Sequence, residues 1–85
     1  MKLLLMTFVY ILHSDKFKRY YVGMSDNTER RLSEHNAGYV KSTKAFIPWK
    51  IIHQEKFEAR IEARKREKYL KSAAGRRWRN KNLGL

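Results

Sequence analysis

The sequence predicts an α/β fold with its elements in the order β-β-α-β-α and a short helical piece at the end. Two runs, Phe8-Val9-Tyr10-Ile11-Leu12 and Tyr20-Tyr21-Val22-Gly23, are apolar, β-branched and aromatic, and a mostly polar stretch from Ser14 to Lys18 separates them. That is the pattern of a β-hairpin. From about Glu58 to Lys71 the composition turns strongly helical. With 85 residues, 42% of them hydrophobic and 13% aromatic, the chain holds enough apolar surface for one small core. Residues 1–85 read as a single domain, with its core over about 7–77 and a basic tail over 76–85.

The first strand is expected over roughly Thr7 to Leu12 and the second over roughly Arg19 to Gly23. If Asp15-Lys16 form the turn, Tyr10 lies directly opposite Tyr21, and both phenols project from one face of the sheet. A slip of one residue would separate them onto opposite faces. Gly23 is expected to end the second strand. Asp26 and Glu29 have the spacing of a capping box, and the helix they open runs to about Asn36, with Gly38 as its stop. Arg31 and His35 are four apart and share a face of that helix.

The stretch from Tyr39 to Ile47 has no clear period. Its polar, basic centre, Lys41-Ser42-Thr43-Lys44, predicts a mobile loop tethered by Phe46 and Ile47, and Pro48 marks its end. A third strand follows, in which Trp49, Ile51 and Phe57 alternate, with Ile52 between. On the next helix Ala59, Ala63, Glu67 and Leu70 form one stripe, so Glu67 is an acid among small and apolar neighbours. Glu58 and Glu62 are expected to pair with Arg66 and other bases on the outer faces. Ser72 to Gly75 reads as a break, with a basic tail helix over about Arg76 to Asn82 anchored by Trp78.

The net charge of +12 is uneven: residues 1–40 carry six basic and four acidic groups, residues 41–85 fourteen and four. Such a field favours an anionic partner, most often nucleic acid, over a bare solvated surface or an anionic membrane. Lys41, Lys44, Arg64, Arg76, Arg77 and Arg79 are the expected phosphate contacts. There is no cysteine, so disulfides, thiolate zinc sites and cysteine nucleophiles are excluded. His13 and His53 read as structural, and three scattered histidines do not make a zinc site. The apolar opening, Met1 to Met6, lacks a cleavage site and is too short to span a bilayer. A cytoplasmic protein without a membrane association is the expectation.

Val9-Tyr10-Ile11 and Tyr21-Val22-Gly23 resemble the two defining motifs of the GIY-YIG nuclease superfamily, with Val9 in place of the first glycine and Val22 in place of isoleucine. Arg30-Arg31-Leu32 with His35-Asn36 resembles the family's helix motif. Thr43 and Pro48-Trp49 resemble the loop and third-strand entry of its small stand-alone bacterial members. Lys65-Arg66-Glu67-Lys68 with Leu70-Lys71 resembles the helix that carries the metal-binding glutamate. The five motifs occur in order across roughly Phe8 to Arg77.

The resemblance implies a sandwich of a three-stranded antiparallel sheet and flanking helices. It implies a metal-dependent DNA endonuclease, of low or structure-based specificity, acting in DNA repair or recombination. Glu67 would bind one Mg²⁺ or Mn²⁺, with water in most other positions. Tyr10 would be the general base, its pKa lowered by Arg31, the metal and the positive field. Tyr21 would orient water and phosphate, Arg31 would neutralise transition-state charge, and His35 would hydrogen-bond the water or a tyrosine. Gly23 would let the backbone turn tightly under the site. Some relatives carry a lysine directly after that glycine, where this chain has Met24. Asn80 lies near where some relatives bring a polar residue to the site. Specificity would come from a partner protein or a homodimer. The alternatives are a nucleic-acid-binding module that keeps the fold without catalysis, and a basic structural protein of the translation machinery.

Overall fold

The computed structural model describes residues 6–84; the opening segment expected not to be a leader lies, in residues 1–5, outside the described part. Strands β1 (Thr7–Ser14), β2 (Arg19–Ser25) and β3 (Lys50–Phe57) form an antiparallel sheet in the order β2-β1-β3. Helix α1 (Thr28–Asn36) precedes β3, and helices α2 (Arg60–Lys71) and α3 (Ala73–Leu83) follow it. The α+β sandwich expected from the sequence is therefore present.

β1 alternates perfectly, and each alternate set has a core of its own. Val9 and Ile11 join Val22, Ala63 and Leu70, with Met24, Ile52, Phe57, Trp78 and Leu83 packed around them. Tyr10 and Leu12 join Trp49 on the opposite face, with Tyr21, Leu32, Phe46, Ile47 and Ile51. The first core is covered by α2 and α3, the second by α1 and the loop before β3. Fully burying an aliphatic side chain such as Ile11 or Leu70 stabilises the fold by about 1.5–3 kcal/mol.

The hairpin register differs from the expected one. Tyr10 pairs with Gly23 and Leu12 with Tyr21, because the connection is the four residues between Ser14 and Arg19, with Lys18 at φ 55°. A displacement of two residues preserves parity, so the two tyrosines still share a face. β2 also continues past Gly23 to Ser25. In β3 the pairing shifts between Ile11 and Leu12 of its partner strand, a bulge that breaks the alternation. Ile51 consequently faces one core and Phe57 the other.

Asn27, not Asp26, caps α1: its side chain accepts from the Arg30 amide at 3.0 Å. Asp26 instead pairs with the Arg30 guanidinium at 3.0 Å. Gly38, at φ 84°, stops the helix as expected. α2 begins one residue after Ala59, which is exposed and outside the stripe that Ala63, Glu67 and Leu70 form. Arg66 pairs with Glu55 through two bonds of 2.9 and 3.1 Å, while Glu62 meets Lys65. The expected break over Ser72 to Gly75 shrinks to Ser72 alone. Ser72 ends α2 and caps α3, its hydroxyl accepting from the Gly75 amide at 3.2 Å. A Cβ at Gly75 would run into the Tyr69 and Leu70 carbonyls, so this helical glycine serves close approach.

Candidate active site

Tyr10, Tyr21 and His35 meet on the α1 face of the sheet. Tyr10 comes from the central strand, Tyr21 from its neighbour one diagonal step away, and His35 from the last turn of α1. The two phenol rings are 6.3 Å apart, and the imidazole lies 6.1 Å from Tyr10 and 4.8 Å from Tyr21, centroid to centroid. His35 Nε2 is 3.1 Å from the Tyr10 hydroxyl, and its Nδ1 is 2.8 Å from Thr43 Oγ1. Gly23 makes room for this arrangement: a Cβ there would stand 2.6 Å from the Tyr10 hydroxyl oxygen and 2.9 Å from the Tyr21 ring. Its role is space beneath a phenol rather than a tight turn, since its backbone is an extended strand.

Burial governs the electrostatics. His35 is 0% exposed, and its burial, with the charge of Arg31, pushes its pKa down to about 4. The ring is neutral at physiological pH. Tyr10 is 1% exposed, and burial, with the like charge of an ionised Tyr21, pushes its pKa up to about 12. Arg31 pulls the other way by charge and by its capacity to hydrogen-bond the phenolate, and Glu67 adds a smaller upward push. The lowering expected from Arg31 and the positive field is thus outweighed by desolvation. Arg31 itself is held by Glu34 at 2.9 Å, an i,i+3 pair that aims the guanidinium and raises its pKa.

Glu67 comes from α2, which packs on the other face, and bears on Tyr10 through its charge. It is 7% exposed, with Lys71 Nζ at 3.2 Å from one oxygen and Arg64 at 3.5 Å from the other. Among the described residues no group of three or more histidine, cysteine, aspartate or glutamate side chains is placed to hold a metal. Glu67 is a single hard oxygen donor. That set suits a Mg²⁺-like ion that keeps its waters and takes its remaining ligands from a phosphate. Both cations on Glu67 are flexible, half-exposed side chains that can exchange with such an ion. His13 bonds Asp15 at 2.6 Å and His53 bonds Glu55 at 2.7 Å, so both are occupied within the fold. Met24 packs in the core on the α2 side, on the face opposite the tyrosines.

Of the six expected phosphate contacts, Lys41, Lys44, Arg64, Arg76 and Arg77 are exposed. Arg79 is not available in the same way. Its guanidinium lies 4.6 Å from the Tyr20 ring centre and donates to the Leu70 carbonyl at 3.1 Å, closing the end of α2. Burial pushes its pKa below the ordinary arginine value. Asn80 is exposed on α3. The loop read as mobile is instead tied down. Asn36 grips the Trp49 backbone at both its amide and carbonyl (2.7 and 2.9 Å), and the Trp49 indole donates to the Thr43 carbonyl at 2.9 Å. Thr43 is 1% exposed and completes the site. The sequence marks Thr43 only through the loop resemblance, with no role in the site, and gives Glu34 none; the i,i+3 spacing of Arg31 and Glu34 is the local signal for that pair.

The sequence model of the GIY-YIG catalytic domain matches residues 6–82. The UPF0213 protein lwe0147 of Listeria welshimeri is 48% identical over 61 residues, covering 71% of this chain and 67% of its own length. The UPF0213 protein CPE1444 of Clostridium perfringens is 38% identical over 81 residues, covering 94% and 82%. The solution structure of the UPF0213 protein BH0048 from Bacillus halodurans superposes with a TM-score of 0.52 at 25% identity, covering 86% of this chain and 80% of that one. A family match across nearly the whole described chain, on a fold with the same strand and helix order, has one reading: the chain belongs to the GIY-YIG catalytic domain family, whose members are typically nucleases.

Proposed function

We propose that this protein is an endonuclease that hydrolyses a DNA phosphodiester bond, with Tyr10, Tyr21, Arg31, His35 and Glu67 as its catalytic residues. The observation that carries the reading is the buried Tyr10–His35 hydrogen bond of 3.1 Å, flanked by Tyr21 and by Arg31. A phenol whose pKa stands at about 12 is no free base at neutral pH. Bonded to a neutral imidazole, it need not ionise beforehand. As the water oxygen bonds to phosphorus, its proton passes to the Tyr10 oxygen while the Tyr10 proton passes to His35 Nε2. The phosphorus–oxygen bond to the leaving strand then breaks. Arg31 neutralises charge on the phosphate oxygens, and Tyr21 orients the water from the more open side. Glu67 would hold the divalent ion, Mg²⁺ or Mn²⁺, which when bound supplies positive charge to the phosphate and the departing oxygen.

Lys41, Lys44, Arg64, Arg76 and Arg77 would contact the backbone, an affinity without base reading, so specificity rests on DNA shape or on a partner or second copy. A role in repair or recombination fits such substrates. The test is nicking of supercoiled, branched and single-stranded DNA with Mg²⁺ or Mn²⁺. The wild type nicks at least one of these, and Glu67→Ala does not. Absence of cleavage on every form would overturn the reading.

The second reading is a nucleic-acid-binding module without catalysis. It is favoured by the cations already seated on Glu67, at 3.2 and 3.5 Å. Its signature is salt-dependent DNA binding, equal in wild type and Glu67→Ala, with no product under any metal.

A further inference from the structure

A buried hydroxyl must place its hydrogen, and for Tyr10 the choice is narrow. His35 Nε2, at 3.1 Å, is the hydrogen-bond acceptor within reach of the phenol among the described residues, and the neighbouring Arg31 carries donors only. Nε2 therefore accepts, which puts the hydrogen of the neutral ring on Nδ1. Nδ1 faces Thr43 Oγ1 at 2.8 Å, and that hydroxyl reaches the Val40 carbonyl at 3.3 Å. One direction of donation satisfies every member: Tyr10 to His35, His35 to Thr43, Thr43 to Val40. The reverse direction leaves the phenol hydrogen without a partner and turns two donors, Nε2–H and Arg31, onto one oxygen. A buried network of this kind is stable only when fully satisfied.

We propose that Thr43 is a positioning residue: by accepting the Nδ1–H of His35, its hydroxyl holds the imidazole in the tautomer whose Nε2 faces Tyr10 as an acceptor. The Thr43 backbone is clamped to present that oxygen. Its amide donates to the Val40 carbonyl at 3.1 Å, and its carbonyl accepts from the Trp49 indole at 2.9 Å. The exposed Lys41 and Lys44 flank it on the same loop. Histidine tautomers are set by the bond the other nitrogen makes, and here that bond comes from a loop rather than from the helix carrying the ring. In hydrolysis the Tyr10 proton ends on Nε2, and the imidazolium so formed keeps its Nδ1–H on Thr43.

The kinetic consequence rests on the nuclease reading; the tautomer does not. The experiment is long-range ¹H–¹⁵N correlation of the His35 ring in ¹⁵N-labelled protein near pH 7, without DNA or metal, for wild type, Thr43→Ser, Thr43→Val and Tyr10→Phe. Wild type and Thr43→Ser show a protonated Nδ1 and a bare Nε2. Tyr10→Phe shows the same, since Thr43 remains. Thr43→Val keeps the shape but not the acceptor, and shifts the ring toward Nε2–H. In nicking assays Thr43→Val lowers kcat roughly tenfold with KM within about twofold, and Thr43→Ser restores turnover. A wild-type ring protonated on Nε2 overturns the proposal. So does an unchanged spectrum in Thr43→Val, or a flip in Tyr10→Phe. If Thr43→Val does not fold, the wild-type and Tyr10→Phe spectra decide. If the wild type nicks nothing, the nuclease reading falls and the spectra still decide the tautomer.

Discussion

At the scale of single residues, burial strains both partners of the Tyr10–His35 bond, and pH makes that visible. Between pH 6.5 and about 4 the unfolded chain protonates His35 while the native fold resists, so stability falls as pH drops through that window. The full loss from this one group is at most about 3 kcal/mol. Tyr10 acts at the other end: the unfolded chain loses its proton near pH 10 and the native one near 12, so stability falls again as pH rises between them. Asp15, Asp26, Glu34 and Glu55, whose pKa values are lowered by their basic partners, stabilise the fold at neutral pH and lose that contribution as pH falls through and below the carboxylate range. Urea titrations of wild type and His35→Asn therefore differ in slope between pH 6.5 and 5, where the variant is flat; parallel curves would contradict the assigned burial. Glu67→Gln tests a different point. It removes the charge that draws Lys71 and Arg64, at 3.2 and 3.5 Å, while keeping the side chain's shape. Nicking should be lost by more than a hundredfold while DNA binding holds or tightens, which gel-shift and nicking assays on one preparation separate. Part of this arrangement was legible in the sequence: strand and helix periodicity place Tyr10 with Tyr21 and Arg31 with His35, and the family resemblance joins the two pairs and adds Glu67. Two things were not. The cations around Tyr10 can be counted in the sequence, but the desolvation that overrides them belongs to the folded core. Thr43 looks like loop polarity until Trp49 and Asn36 fold that loop onto the imidazole.

At the scale of elements, the α2–α3 junction departs furthest from its sequence signal. Ser-Ala-Ala-Gly reads as a break because glycine weakens helices. The contact that makes glycine necessary, with the Tyr69 and Leu70 carbonyls, is tertiary. Gly75→Ala should thus invert the usual sign. In an ordinary helix it stabilises by about 0.5–1 kcal/mol. Here it should destabilise by about 1–3 kcal/mol, a fall in Tm that a rise would disprove. The hairpin shows the converse case. Its loop is two residues longer than an Asp15-Lys16 turn, yet Tyr10 and Tyr21 keep a common face because the shift is an even number of residues. The bulge in β3 had no such protection, and Phe57 crossed to the other core. Strand bulges leave little trace in short apolar runs.

At the scale of the molecule, charge and fold divide the basic residues into two kinds. Lys41 and Lys44 stand exposed beside the site, whereas Arg79 is spent on Tyr20 and Leu70. A basic tail read from sequence treats them alike, because charge is local and orientation is not. The Lys41→Ala/Lys44→Ala double variant should weaken DNA binding across sequences and reduce the slope of log K against log salt by roughly 1–2, with Tm unchanged. Arg79→Ala should do the opposite, lowering Tm and leaving the salt slope in place; the reverse pattern would sink the distinction. Ser72, shared between the end of one helix and the start of the next, leaves no slack between them. Mechanically the C-terminal helix is a lever welded to the helix that carries Glu67, not a tether. The amides of Trp78 and its neighbours should therefore exchange with solvent in step with those around Glu67, as one cooperative unit. Any partner that grips the last helix would have its hand on the Glu67 carboxylate.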